Sequence, residues 1–121
     1  MEFSETSVVY AGNWLVGGKD EEITTLEVTN GTVGIADYAF ATFEGFTRLT
    51  LPNSVRVIGD FSFTLSGLTS VVIGSGVKTI GEQAFSGSKK LSAVILSAYD
   101  TETGTRLDSS LEEIGNYAFG N

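Results

Sequence analysis

Four versions of one six-residue phrase recur along this chain: IADYAF at residues 35–40, IGDFSF at 58–63, IGEQAF at 80–85 and IGNYAF at 114–119. The leading residues Ile35, Ile58, Ile80 and Ile114 fall 23, 22 and 34 positions apart. Self-similarity with a period in the low twenties predicts a solenoid. Each repeat is then one coil, which cannot bury its apolar face alone and stacks on its neighbours to do so. A fold of that kind presents an extended, repetitive surface, and such surfaces usually bind other molecules.

A second apolar column keeps step with the first. Ile23, Phe46, Leu68 and Leu91 each precede an apolar pair three and five residues on: Leu26 and Val28, Leu49 and Leu51, Val71 and Ile73, Val94 and Leu96. That alternation predicts a strand with one buried face, and the β-branched content of these segments agrees. Turn residues follow at Asn30-Gly31, Pro52-Asn53 and Gly74-Ser75-Gly76. A shorter apolar alternation then leads into each phrase, predicting a second short strand per coil.

Inside the phrase, Gly59, Gly81 and Gly115 follow the isoleucines, with Ala36 in the first coil. Glycine there tolerates positive φ and lets neighbouring backbones approach closely, which predicts a sharp corner. Asp37, Asp60, Glu82 and Asn116 come next and read as N-caps of a single helical turn. Phe40, Phe63, Phe85 and Phe119 are expected to stack in the core, with the small residues Ala39, Ser62, Ala84 and Ala118 leaving them room. Burial of each ring contributes roughly 1.5–3 kcal/mol, which makes this ladder the main link between coils.

The pattern LxxLxLPxSVxxIGxxAFxxxxxL, met most closely in FTRLTLPNSVRVIGDFSF and nearly as well in LTSVVIGSGVKTIGEQAF, resembles the BspA-like class of leucine-rich repeats. The resemblance spans residues 23–119. That class often carries Cys after the AF pair, where this chain has Phe43, Leu65 and Ser88 nearby. The resemblance implies a leucine-rich-repeat solenoid, a mostly β, right-handed β/α superhelix. Its parallel sheet lines one face, with short second strands and one-turn helices elsewhere. It further implies a bacterial surface or secreted protein, extracellular in location, whose partners are host extracellular or surface proteins.

Composition narrows the chemistry. With 15 acidic and 7 basic side chains the formal charge is −8, and Lys89-Lys90 is the one basic pair, so phosphate backbones and anionic membrane surfaces are poor partners. The absence of Cys and His removes disulfides, thiolate zinc sites and His-based catalysis. No apolar run approaches the ~20 residues of a membrane span. The opening MEFSETSVVYAG is acidic and does not read as a signal peptide. The last coil ends just after its phrase, which suggests a piece of a longer protein. Residues 1–22 are read as a capping hairpin and linker, and residues 23–121 as about four coils, the last one truncated.

Within the cap, SVVYAGNWLVGG at 7–18 reads as a hairpin bent at Gly12-Asn13, with Tyr10, Trp14 and Leu15 placed to cover the open end of the ladder. Between the last long strand and its phrase lies an insertion, residues 97–110, SAYDTETGTRLDSS. It suggests a small hairpin turning at Thr103-Gly104 and pairing Tyr99 with Leu107.

Three chemical readings follow. The Asp37, Asp60, Glu82 column would stack carboxylates about 5 Å apart, near the spacing of a retaining glycosidase. A group repeated in every coil fits capping better than one catalytic pair. Asp100, Glu102 and Asp108 carry hard oxygens suited to calcium, but their spacing does not fit an EF-hand, and a solvated loop is the simpler account. Asp20-Glu21-Glu22 reads as an acidic linker, and Gly17-Gly18-Lys19 lacks the rest of a P-loop. No catalytic residue, metal site or cofactor is assigned.

What remains is the outward face of the long strands: Thr25, Glu27, Arg48, Thr50, Ser70, Val72, Ala93 and Ile95. Arg48, Thr50, Val72 and Ile95, with Tyr99 and Arg106 from the insertion, form the expected binding surface. The expected function is non-enzymatic protein interaction or adhesion. A structural spacer within a larger surface protein is the alternative, and a carbohydrate-active enzyme the third. The coil bearing Ile114, Tyr117 and Phe119 has no successor, so weak self-association through that end is also expected.

Overall fold

The computed structural model describes residues 8–18, 23–95, 98–99, 106–107 and 111–120. Two sheets run the length of the coil stack. The long strands β3 (Thr25–Glu27), β5 (Arg48–Thr50), β7 (Ser70–Val72) and β9 (Ala93–Ile95) form a four-stranded parallel sheet in that order. The short strands β4 (Gly34–Ile35), β6 (Val57–Ile58), β8 (Thr79–Ile80) and β12 (Glu113–Ile114) pair in parallel in a second sheet. The hairpin β1 (Val8–Ala11) and β2 (Trp14–Gly18) extends this second sheet at its N-terminal end, with β2 parallel to β4. The remaining two strands, β10 (Ala98–Tyr99) and β11 (Arg106–Leu107), pair with each other.

The register puts equivalent residues of successive coils side by side: Leu26, Leu49, Val71 and Val94 in one sheet, Ile35, Ile58, Ile80 and Ile114 in the other. Ile35, Ile58 and Ile80 are wholly buried between the sheets. The phenylalanines stack as one column. Ring centroids are 5.5 Å apart from Phe40 to Phe63, 5.3 Å from Phe63 to Phe85 and 5.2 Å from Phe85 to Phe119, all within 6° of parallel. Phe46 leans on both Phe40 and Phe63.

The expected helical turns are absent: among the described residues there is no helix, so the β/α form of the superhelix gives way to an all-β one. The backbone dihedrals explain why. Tyr38, Phe61, Gln83 and Tyr117 have φ of 61°, 57°, 51° and 56°, in the left-handed region that breaks a right-handed helix. With left-handed residues at Tyr38 and again at Thr42, alternate N–H groups point in two directions. Tyr38, Phe40 and Thr42 donate along the stack to the carbonyls of Asp60, Ser62 and Thr64. Ala39, Ala41 and Phe43 donate back within their own coil, to Ala36, Tyr38 and Phe40. The third side of each coil is therefore a ladder of bonds to its neighbour, which a helix could not supply.

Of the two uses expected of the phrase glycines, close backbone approach is met and positive φ is not. Gly59, Gly81 and Gly115 do not have positive φ. They are small because the preceding coil lies against them: a Cβ on Gly59 would stand 2.6 Å from Asp37 Oδ1 and 2.7 Å from the Asp37 nitrogen.

The hairpin turns at Gly12-Asn13, with Gly12 at φ 60°. Leu15 is fully buried beside Ile35, and the Trp14 ring lies over Gly34, where any Cβ would collide with it. Gly18 closes the phenylalanine column, since a Cβ there would meet the Phe43 and Phe40 rings at 2.7 and 3.2 Å. Tyr10 packs at the edge of the core and bonds Thr29 Oγ1 through its hydroxyl at 3.3 Å. In the insertion, Tyr99 stands opposite Arg106 and Leu107 opposite Ala98, one residue off the expected pairing. The Thr103-Gly104 turn and the Asp100, Glu102, Asp108 group lie outside the described residues, as does Asp20-Glu21-Glu22.

Candidate interaction surface

In the four-stranded sheet, alternation sends Leu26, Leu49 and Val71 to the core and their neighbours outward. The register then assembles two outward rows. One runs Thr25, Arg48, Ser70, Ala93, and the other Glu27, Thr50, Val72, Ile95. Arg48 and Thr50 are exposed, Val72 is half-buried and Ile95 is 50% exposed. The face passes from charged and polar at β3 and β5 to apolar at β7 and β9. Tyr99 and Arg106 are cross-strand partners on the β10–β11 ribbon that follows β9 in the chain.

The acidic column occupies a different surface. Asp37 Oδ1 accepts the backbone N–H of Asp60 at 2.8 Å, and Asp60 Oδ1 accepts that of Glu82 at 2.8 Å. Each carboxylate thus caps the next coil rather than a helix of its own. A shallow hollow of about 390 Å³ beside this column is lined by Asp60, Glu82, Glu113 and Asn116. One oxygen each of Asp37 and Asp60 is committed to the main chain, a structural use that every coil could repeat. Among the described residues no group of three or more acidic side chains is placed to hold a metal ion.

Other side-chain ladders join the coils, and the phrase-based reading did not find them. Thr47 Oγ1 donates to the carbonyl of Thr24, Thr69 Oγ1 to that of Thr47 and Ser92 Oγ to that of Thr69, at 3.1–3.2 Å. The signal was present: a hydroxyl residue recurs just before each long strand. Ser66 and Ser88 share a buried 2.9 Å hydrogen bond. On the outside of the third side, Tyr38 stacks on Phe61 with centroids 5.0 Å apart.

Residues 19–121 match the family model of the BspA type leucine rich repeat region, in six copies. The chain belongs to the BspA-type leucine-rich repeat family. No curated protein and no solved structure matches it. For a BspA-type repeat region the two outward rows are the solvent side of the continuous sheet, and the acidic and hydroxyl ladders are the fastenings between coils. Such repeats are modules of protein interaction, typically of surface or secreted proteins and typically non-enzymatic. Among the described residues no helix is long and apolar enough to cross a membrane.

Proposed function

We propose that this BspA-type domain is a non-enzymatic adhesion module. It holds a protein ligand on the outward rows of the four-stranded sheet, through Arg48, Thr50, Val72 and Ile95, with Tyr99 and Arg106 of the insertion at one border. The observation that carries the reading is the register. It lines up Thr50, Val72 and Ile95 as adjacent side chains on one exposed face, with Arg48 beside them. Tyr and Arg are the residue types that most often anchor interfaces, and the insertion follows directly on the strand that bears Ile95. The compartment that goes with this reading is extracellular or cell-surface, in a bacterium, and the partner is a host extracellular or surface protein. The chain's formal charge of −8 favours a partner with a basic face.

The alternative is a spacer with no ligand. The many coil-to-coil ladders favour it, because they show side chains devoted to stiffness. Capture of purified extracellular-matrix proteins on the immobilised chain separates the two. With a partner in hand, Ile95→Asp and Tyr99→Ala are each expected to weaken binding at least tenfold, about 1.4 kcal/mol, without changing the melt. No capture across the panel supports the spacer. Capture that both variants leave unchanged moves the site off this face.

A further inference from the structure

The first coil passes from β3 to β4 through the turn Thr29-Asn30-Gly31-Thr32, closed by the Thr32 N–H on the Thr29 carbonyl at 3.1 Å. Gly31 holds φ at 103°, at the place in such a turn that favours glycine. Asn30 is exposed, and neither its carboxamide nor its main-chain N–H and C=O has a hydrogen-bond partner among the described residues. The equivalent residue of the next coil is fastened. Asn53 Oδ1 accepts the Ser75 N–H at 2.9 Å, and the Asn53 carbonyl accepts Arg56 Nη1 at 2.6 Å. Asn13 and Asn116 are held through their carbonyls, by the N–H groups of Val33 and Gln83. Bulky Trp14 and Tyr117 follow them in the chain.

A free carboxamide followed by glycine has a chemistry of its own. The next main-chain nitrogen reaches the side-chain carbonyl carbon and closes a five-membered ring, an approach that a side chain on the following residue hinders. Gly31 has no side chain, and its surroundings are open: even a Cβ there would meet nothing within 4 Å. A hollow of about 210 Å³ lies between the turn and the hairpin, lined by Tyr10, Asn13, Thr29 and Thr32 among others. It leaves room for the carboxamide to swing and for water to follow. One restraint opposes the attack. The Gly31 N–H donates to Ser54 Oγ at 2.9 Å, and that hydroxyl is held in turn by donating to the Thr32 carbonyl at 2.8 Å.

We propose that Asn30 is a site of spontaneous hydrolytic deamidation in the folded chain, with Ser54 restraining its rate. The Gly31 nitrogen gives up its proton and attacks Asn30 Cγ. The N–Cγ bond forms, the Cγ–Nδ2 bond breaks, and ammonia leaves with that proton. Water then opens the cyclic imide. Opening at Cγ yields aspartate; opening at the main-chain carbonyl yields isoaspartate, in which the backbone runs through the former side chain. Either product adds one negative charge to a chain already at −8. Isoaspartate also lengthens the main chain at the point where the hairpin is fastened to the first coil. There the Tyr10 hydroxyl donates to Thr29 Oγ1, and the Val33 N–H donates to the Asn13 carbonyl. The modification therefore loosens the hairpin.

Incubation of the whole chain at neutral and mildly alkaline pH, followed by digestion in acid and mass spectrometry, tests this. The peptide bearing Asn30 is expected to gain the mass of an amide-to-acid exchange at least tenfold faster than the peptide bearing Asn53. The rate should rise with pH, because the attack needs the deprotonated Gly31 nitrogen. An isoaspartate methyltransferase should label the aged chain and leave Asn30→Gln, whose longer side chain closes the ring poorly, unlabelled. Ser54→Ala frees the Gly31 nitrogen and is expected to speed conversion several-fold. Amide exchange on the unmutated chain is independent of that variant's folding: the Val33 N–H should lose protection in the isoaspartate form, while Val71 keeps its own. Conversion at Asn30 no faster than at Asn53, conversion in urea alone, or an unchanged Val33 amide in the isoaspartate form would each overturn the proposal. So would a Ser54→Ala chain that melts as the parent does and converts at the parent's rate.

Discussion

Ser62 is a small flaw in an otherwise well-satisfied core. It is completely buried, and its hydroxyl has no hydrogen-bond partner among the described residues. The same place in the other coils holds Ala39, Ala84 and Ala118, all buried. An unmet hydroxyl in such a site costs about 1–3 kcal/mol, and Ala fits the space without leaving a useful cavity. Ser62→Ala is therefore expected to raise stability by about 1 kcal/mol, read as a higher midpoint in urea at unchanged slope. A loss of stability would mean that the hydroxyl is bonded. The left-handed row is a second cost of the same kind. Non-glycine residues at Tyr38, Phe61, Gln83 and Tyr117 each give up about 1–2 kcal/mol of backbone preference, recovered by the hydrogen bonds that the alternation makes along the stack.

At the scale of the element, the phenylalanine column is the fastening that the coils share. Phe63 has stacked neighbours on both sides and is fully buried. Phe63→Ala leaves a cavity in the middle of the column and is expected to cost about 3–5 kcal/mol, enough to unfold a domain of ordinary stability. A midpoint shift equivalent to under about 1 kcal/mol would remove Phe63 from the core. This column was legible in the sequence because burial imposes a periodic residue type, and Phe recurs in all four phrases. The strand pairs were legible for the same reason. The turn after each glycine was not. A short polar residue before an aromatic suits a helix cap, yet Asp37 and Asp60 cap the next coil, a relation between positions 23 and 22 residues apart that local propensity does not carry. Gly18 and Gly34 were missed likewise, since their need is the Phe43 and Trp14 rings lying on them. Of the proposed interaction surface, the outward rows followed from alternation. The Tyr99–Arg106 register did not, because a hairpin with an unspecified loop leaves its pairing free by one residue.

For the whole molecule, a stack of coils behaves as a line of units, each stabilised by its own contacts and by the interfaces on either side. The first coil has the hairpin on one side and a second coil on the other, whereas the last has a neighbour on one side alone within the chain. Phe119 shows the difference: it stacks on Phe85 yet stays 39% exposed. Truncating it should therefore act locally. Phe119→Ala is expected to cost about 1–2 kcal/mol, well below the cost of emptying the Phe63 site. The loss should be confined in space. Amide protection should fall across residues 111–120, while Leu26 and Leu49, three and two strands from β9 in the long-strand sheet, keep theirs. If protection at Leu26 falls as far as at Ala118, the coils unfold as a single unit and nearest-neighbour coupling is the wrong description. If it holds, the molecule can fray at its C-terminal coil while the hairpin end and the polar half of the outward face stay folded.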